Sequence, residues 1–361
     1  MNDSGQGDRV WALLPLLALM ALLGSGCASS RHEQREADRQ TNRFEFTEPQ
    51  MGVPFRIVLY TDTAQRARAA ADAAFSRVKE LNDCFSDYDT DSELNRLSAS
   101  SGKGRTMTVS VDLWRILVLS QDIARLTDGA FDITVGPYVG LWRVARRQKK
   151  LPDPARLAAA SESVGFEKLK LFPSDRTVLL TAPLMRLDLG GIAKGYAVDE
   201  AFRVLEGRGM RRMLIAASGD IRVGEPPPGE AGWSIELADP TPTASPPRQL
   251  LLRNLAVSTA GDLSQHLDLD GVRYSHIVDP KAGVGLTNQM LVTVIADDCT
   301  TSDTLDTTVC VMGPQLGRKL LKNRAVGARI VTKTAHGDIS ILVGSFKKYL
   351  EPRDSAAKAL R

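Results

Sequence analysis

Asp188-Leu-Gly-Gly-Ile-Ala-Lys-Gly-Tyr-Ala-Val-Asp199 reads as a strand that runs through two glycines into a helix. Backbone N–H groups at such a helix start point the same way and favour an anion, phosphate above all. Gly190 and Gly191 permit close backbone approach, and Lys194 can neutralise phosphate charge. A tight turn with a solvated lysine is the plainer reading of the same residues. Further on, Thr301-Ser-Asp-Thr-Leu-Asp-Thr-Thr308 places Asp303 and Thr307 at i, i+4, on one face of a helix. Two oxygen ligands on one face suit Mg²⁺, which binds few protein oxygens and keeps the rest for water and phosphate. Asp306 lies next round the helix, placed to hold a metal-bound water. These acids equally suit an acidic first helical turn, with Thr301 or Ser302 as its cap. A phosphate cradle combined with a hard-metal site implies chemistry on a nucleotide diphosphate.

Outward from these motifs, Phe55, Ile57 and Leu59 alternate and predict a strand over 54–60. Ala71, Ala74, Phe75, Val78 and Leu81 fall at helical spacing, for a helix over about 64–84. Further helices are expected at about 111–127, 192–206, 301–312 (stopped by Gly313) and 315–323. Strands are expected at 213–217, 233–237, 250–258, 272–278, 290–296, 327–332 and 338–343. Gly224–Gly232 and Pro240–Pro247 read as surface loops. Helices mixed with mostly hairpin-linked strands argue an α+β fold, with mixed, mostly antiparallel sheets and packed helices. There is no G-x-G-x-x-G after an early strand, no P-loop and no G-x-S-x-G elbow.

The apolar run Val10–Leu23 is too short for a comfortable membrane span and ends in Gly24-Ser25-Gly26-Cys27. Residues 1–26 therefore read as a signal peptide. Cys27, directly after small residues, resembles a bacterial lipoprotein cleavage site at which it becomes the acylated first residue, with plain secretion after cleavage nearby, or an uncleaved anchor, as the alternative reading. The expected location is the periplasmic face of a membrane, the outer one favoured because Ala28 and not an aspartate follows. Residues 27–43 are charged and nearly free of large apolar side chains, as a flexible tether would be. The folded domain is expected over 44–350, with 351–361 as a tail. The formal charge of +3 is mild and unclustered and does not indicate nucleic-acid binding. Cys84, Cys299 and Cys310 form no C-x-x-C and read as buried free thiols.

Two further segments carry candidate chemistry. In Tyr274-Ser-His-Ile-Val-Asp-Pro280, His276 would share a strand face with Tyr274 and Val278, as a general base or a structural histidine. In Thr127-Asp-Gly-Ala-Phe-Asp-Ile-Thr-Val-Gly136, Gly129 and Ala130 let a planar ligand lie against backbone, and Asp132 can hold ribose or ring nitrogens. Tyr88, in Ser86-Asp-Tyr-Asp-Thr-Asp-Ser-Glu-Leu94, is a candidate stacking ring.

These segments in this order resemble the ApbE family of FAD:protein FMN transferases, from Met51-Gly-Val-Pro54 to about Gly313. The runs that carry the resemblance are Phe85–Leu97, Thr127–Val135, Leu187–Asp199, Ser218-Gly-Asp220, Tyr274–Pro280 with Gly283, and Thr293–Thr307. The resemblance implies an ApbE-like, T-fold-related architecture and Mg²⁺-dependent transfer of the FMN half of FAD to a Ser or Thr hydroxyl, releasing AMP. Acceptors in the family are flavin subunits of membrane electron-transport complexes, such as the sodium-pumping NADH:quinone oxidoreductase. By position, Met51, Tyr88, Ala130, Phe131, Asp132, Asp188, Lys194 and Ile277 correspond to FAD contacts. Asp303 and Thr307 correspond to metal ligands, with Asp306 beside them and the Gly191 carbonyl as another. His276 or a metal-linked aspartate, Asp303 first, is the expected base. A Mg²⁺-dependent FAD pyrophosphatase and a non-catalytic periplasmic FAD-binding lipoprotein are the competing expectations.

Overall fold

A computed structural model describes residues 41–240, 247–262 and 265–351. The expected signal peptide, Cys27, nearly all of the tether and of the tail, and most of the loop at 240–247 lie outside the described residues. Along the chain run β1 (Asn42–Gln50), β2 (Val53–Thr61), α1 (Ala64–Phe85), α2 (Glu93–Ser98), β3 (Met107–Thr108), α3 (Val111–Leu126), α4 (Gly136–Gln148) and α5 (Pro154–Ser161). Then come β4 (Leu169–Phe172), β5 (Thr177–Leu180), α6 (Ala193–Gly207), β6 (Met213–Ala217), β7 (Asp220–Val223), β8 (Trp233–Glu236), β9 (Gln249–Leu252) and β10 (Leu255–Gly261). The rest are β11 (His266–Leu269), β12 (Val272–Ser275), β13 (Met290–Ala296), α7 (Cys299–Leu321), β14 (Gly327–Thr334) and β15 (Gly337–Gly344).

The main sheet has eight strands in the order β1-β2-β6-β7-β10-β13-β14-β15. Every neighbouring pair in it is antiparallel, as the α+β reading expects. Phe55, Ile57 and Leu59 of β2 point into one core with α1, α3 and α6. Val58 points into another, capped by the β8–β9 hairpin. The period-two alternation thus feeds two layers. Because both faces are covered, β6 and β13 are buried at every residue and read as continuous apolar runs rather than alternating ones. A third core packs Leu305 and Val309 of α7 against Val292, Val294 and Ile330 of the sheet.

Several boundaries differ from expectation for identifiable reasons. β1 begins at Asn42, before the expected start at 44, because it pairs with β2 along its whole length. Asp188 is not in a strand: its N–H goes to the Ile133 carbonyl at 2.8 Å, and that of Leu187 to the Ser98 hydroxyl at 3.1 Å. The strand expected to 278 ends at Ser275, whose hydroxyl takes the Ile277 N–H. α7 starts at Cys299, capped by Asp298 accepting from Thr301 N at 2.7 Å, so neither Thr301 nor Ser302 is the cap. The expected break at Gly313 is present, with φ 77° and ψ 172° ahead of Pro314. Among the described residues no helix is long and apolar enough to cross a membrane.

Candidate active site

The site is built where α6 crosses α7. A Cβ on Gly195 would stand 2.4 Å from the Cys299 carbonyl oxygen and 2.8 Å from the Asp303 Cβ, so the crossing needs glycine there. Asp199, at 1 % exposure, joins the same two helices further along. Its carboxylate accepts the Cys299 N–H at 2.9 Å and the Thr300 N–H at 2.8 Å, and receives Arg222 at 2.6 Å. These contacts set the rotation of α7 and turn Asp303 and Thr307 toward the α6 start. A Cβ on Gly191 would lie 3.0 Å from Thr307 Cγ2 and 3.4 Å from the Phe131 ring, so the fold does bring Gly191, Thr307 and Phe131 together.

Asp220, Asp303 and Asp306 are all buried, and each offers a carboxylate oxygen within 4.8 Å of the others. Lys194 Nζ donates to Asp220 Oδ2 at 2.5 Å and to Asp303 Oδ1 at 3.4 Å. Asp303 Oδ2 accepts the Gly195 N–H at 2.8 Å. The anion at this helix start is therefore the protein's own carboxylate rather than an open phosphate cradle. Asp306 Oδ1 is buried with no hydrogen-bond partner.

Three carboxylates facing one ammonium leave excess negative charge in a dry space. Burial first, then the Asp220 charge, pushes the Asp303 carboxyl up to about 7 in spite of Lys194. Burial with Asp303 and Asp220 pushes Asp306 well above the ordinary carboxylate range. Burial alone would lower Lys194, but Asp220 and Asp303 outweigh it and hold the ammonium well above its ordinary value. A divalent cation removes this conflict, and an all-oxygen donor set with an orphaned carboxylate oxygen fits a hard ion such as Mg²⁺.

His276 is half-buried, and burial chiefly lowers its imidazole below the ordinary value. Nδ1 sits 3.0 Å from the Gln265 carbonyl oxygen. A carbonyl only accepts, so Nδ1 carries the proton and Nε2 holds a free lone pair.

The remaining expected contacts divide. Tyr88 is 78 % exposed, with the Arg143 guanidinium 4.4 Å from its ring centroid. Asp188 accepts Arg143 at 3.1 Å and the Gly190 N–H at 2.8 Å. Phe131 is core-packed yet borders Gly191, and Ala130 sits in the turn before it, its N–H on the Thr127 carbonyl. Asp132 is buried and engaged inside its own turn, Oδ1 accepting the Thr134 N–H at 2.8 Å and hydroxyl at 2.7 Å. Ile277 belongs to the α7 core, and its side chain packs there. Met51 and Gly52 form the two-residue β1–β2 turn, with φ 50° and 74°, and Met51 packs against the main core. The sequence reading names Asp220 only within Ser218-Gly-Asp220 and gives it no role. Its one signal was an acid opening the apolar strand Asp220-Ile-Arg-Val223. Arg143 was missed altogether.

Fold and site together define an α+β protein with a buried carboxylate cluster at a helix crossing beside a large antiparallel sheet, a donor set that suits a hard cation. The profile of the ApbE family matches residues 51–330, and the chain belongs to that family. It is 28% identical over 302 residues to the FAD:protein FMN transferase of Haemophilus influenzae, covering 81% of this chain and 86% of that protein. To the enzyme of the same name from Escherichia coli K12 it is 27% identical over 350 residues, covering 93% and 95%. Among solved structures, the flavin transferase ApbE of Vibrio cholerae superposes with a TM-score of 0.76 at 28% identity, covering 86% of this chain and 99% of that one. The ApbE protein of Thermotoga maritima gives 0.75 at 28% identity, covering 86% and 100%.

Proposed function

We propose that this protein transfers the FMN half of FAD to a Ser or Thr hydroxyl of an acceptor protein and releases AMP. The observation that carries the reading is Lys194 gathered with Asp220, Asp303 and Asp306 at the α6–α7 crossing, inside the span matched to the family. Asp220, Asp303 and Asp306, with Thr307 and the Gly191 carbonyl beside them, would hold a Mg²⁺ ion, which would supply charge neutralisation at the two phosphates.

The protein's own residues do the rest. Lys194 offsets charge that builds on the leaving phosphate. His276 Nε2 takes the proton from the attacking hydroxyl. The new bond joins that oxygen to the FMN phosphorus, and the bond broken is the one from that phosphorus to the bridging oxygen, which leaves on AMP with its electron pair. Tyr88 and Phe131 flank the flavin ring, and Met51, Ala130, Asp132, Asp188 and Ile277 shape the surrounding wall through backbone and packing. We further propose that acylated Cys27 anchors the protein on the periplasmic side, the outer membrane favoured, where flavin subunits of membrane electron-transport complexes are the acceptors.

The test is mass spectrometry of a flavin-subunit acceptor domain incubated with the purified protein, FAD and Mg²⁺. A mass gain of one FMN less water, abolished by EDTA, is expected. FAD converted to FMN and AMP without acceptor gain would mean a pyrophosphatase, and FAD left intact would mean a binding protein.

A further inference from the structure

Tyr88 presents a paradox: at 78 % exposure it is the second most exposed of the large apolar side chains described, yet its ring is held. The holder is Arg143 of α4, whose guanidinium carbon lies 4.4 Å from the ring centroid. Arg143 does not hang free. It donates to Asp87 Oδ2, next to Tyr88 in the chain, and to Asp188 Oδ2 at 3.1 Å. Asp188 is fixed in turn by the Gly190 N–H at 2.8 Å. The stem of Arg143 rises from a rigid base, because the neighbouring Trp142 is buried and donates its indole N–H to the Gly283 carbonyl at 2.9 Å. One side chain thus ties α4, the Tyr88 loop and the segment leading into the α6 glycines.

An exposed tyrosine on a loop samples several rotamers, and ordering it on binding costs affinity. A cation stacked on one face reduces that freedom and leaves the opposite face to a planar ligand. Two carboxylates fix the guanidinium plane, so the ring is oriented before any ligand arrives. We infer that Arg143 is a positioning residue that presets Tyr88 as a one-sided stacking platform for a ring of the dinucleotide substrate. The inference rests on the FAD reading above and adds to it a residue and a mode of action.

The test is a double-mutant cycle on FAD affinity, read from the quenching of flavin fluorescence on titration into the full-length protein. R143M is expected to weaken FAD binding about tenfold, the scale of a cation–π contact that orders an exposed ring. R143K keeps the charge for Asp87 and Asp188 but loses the flat guanidinium, and is expected to weaken binding as well, which covers the case in which R143M folds poorly. In turnover the effect falls on the KM for FAD rather than on kcat. In the Y88A background either Arg143 substitution is expected to add nothing. A loss that persists undiminished in Y88A would show Arg143 acting through Asp188 or directly, and would overturn the proposal, as would unchanged affinity in both Arg143 variants. Failure of the unmodified protein to bind FAD would instead overturn the functional reading on which it stands.

Discussion

Gly195 donates its backbone N–H to Asp303 Oδ2 at 2.8 Å, joining the first turn of one helix to an acid 108 positions later in the chain. The contact exists because Gly195 has no Cβ, and a Cβ there would meet the Cys299 carbonyl at 2.4 Å. Helix crossing and carboxylate placement are one geometric fact.

Gly195→Ala is therefore expected to force the helices apart. The loss of stability should be about 2–3 kcal/mol, in the range of overpacked cores, measured by urea unfolding. Mg²⁺-induced stabilisation should shrink in parallel, and a variant as stable as the parent would refute the close-crossing argument.

In the metal-free protein, stability is expected to fall as pH rises from about 4 to about 7. The folded Asp303 carboxyl is pushed up to about 7, against about 3.9 unfolded. Across that window the folded state binds more protons than the unfolded state, so raising pH favours unfolding. Mg²⁺ binds the deprotonated cluster and should flatten the slope. Asp306→Asn removes a buried charge and is expected to raise the melting temperature in EDTA while abolishing the Mg²⁺-induced rise. Thermal melts at pH 5 and pH 8, with and without Mg²⁺, decide it; a slope of opposite sign contradicts the charge-excess account.

His276→Gln is expected to slow FMN transfer roughly 10²- to 10⁴-fold, the usual worth of a positioned base. Burial lowers the imidazole below its ordinary value, so the parent's acid limb in kcat should fall below about pH 6.5 and vanish in the variant. An acid limb that survives would assign the base to another group.

Cys27→Ser is expected to leave transfer activity unchanged and to move the protein from the membrane to the soluble fraction. Fractionation followed by activity assay of each pool measures both, and unchanged partitioning would count against acylation.

Local pattern was sufficient for much of the architecture. The alternation of Phe55, Ile57 and Leu59, the helical spacing from Ala71 to Leu81, and the stop at Gly313 each depend on a few neighbouring residues, and each element forms where its period places it. The shared face of Asp303 and Thr307 follows from helical geometry alone. α4 and α5 were not anticipated: each carries a proline in its first turn, which reads as a break unless taken as a helix start. The strand expected at Asp188 failed because its backbone groups are claimed by Ile133 and Ser98, both distant in sequence.

The chain's local chemistry alone decided which residue types gather: glycines and Lys194 at one helix start, acids on one face of another, family motifs in fixed order. Only the tertiary structure decided that Asp220 completes the carboxylate cluster, that the α6 start receives Asp303, and that Arg143 reaches Tyr88. Period and propensity act over a few residues, whereas those three contacts join residues far apart in the chain and form only once the elements are packed together.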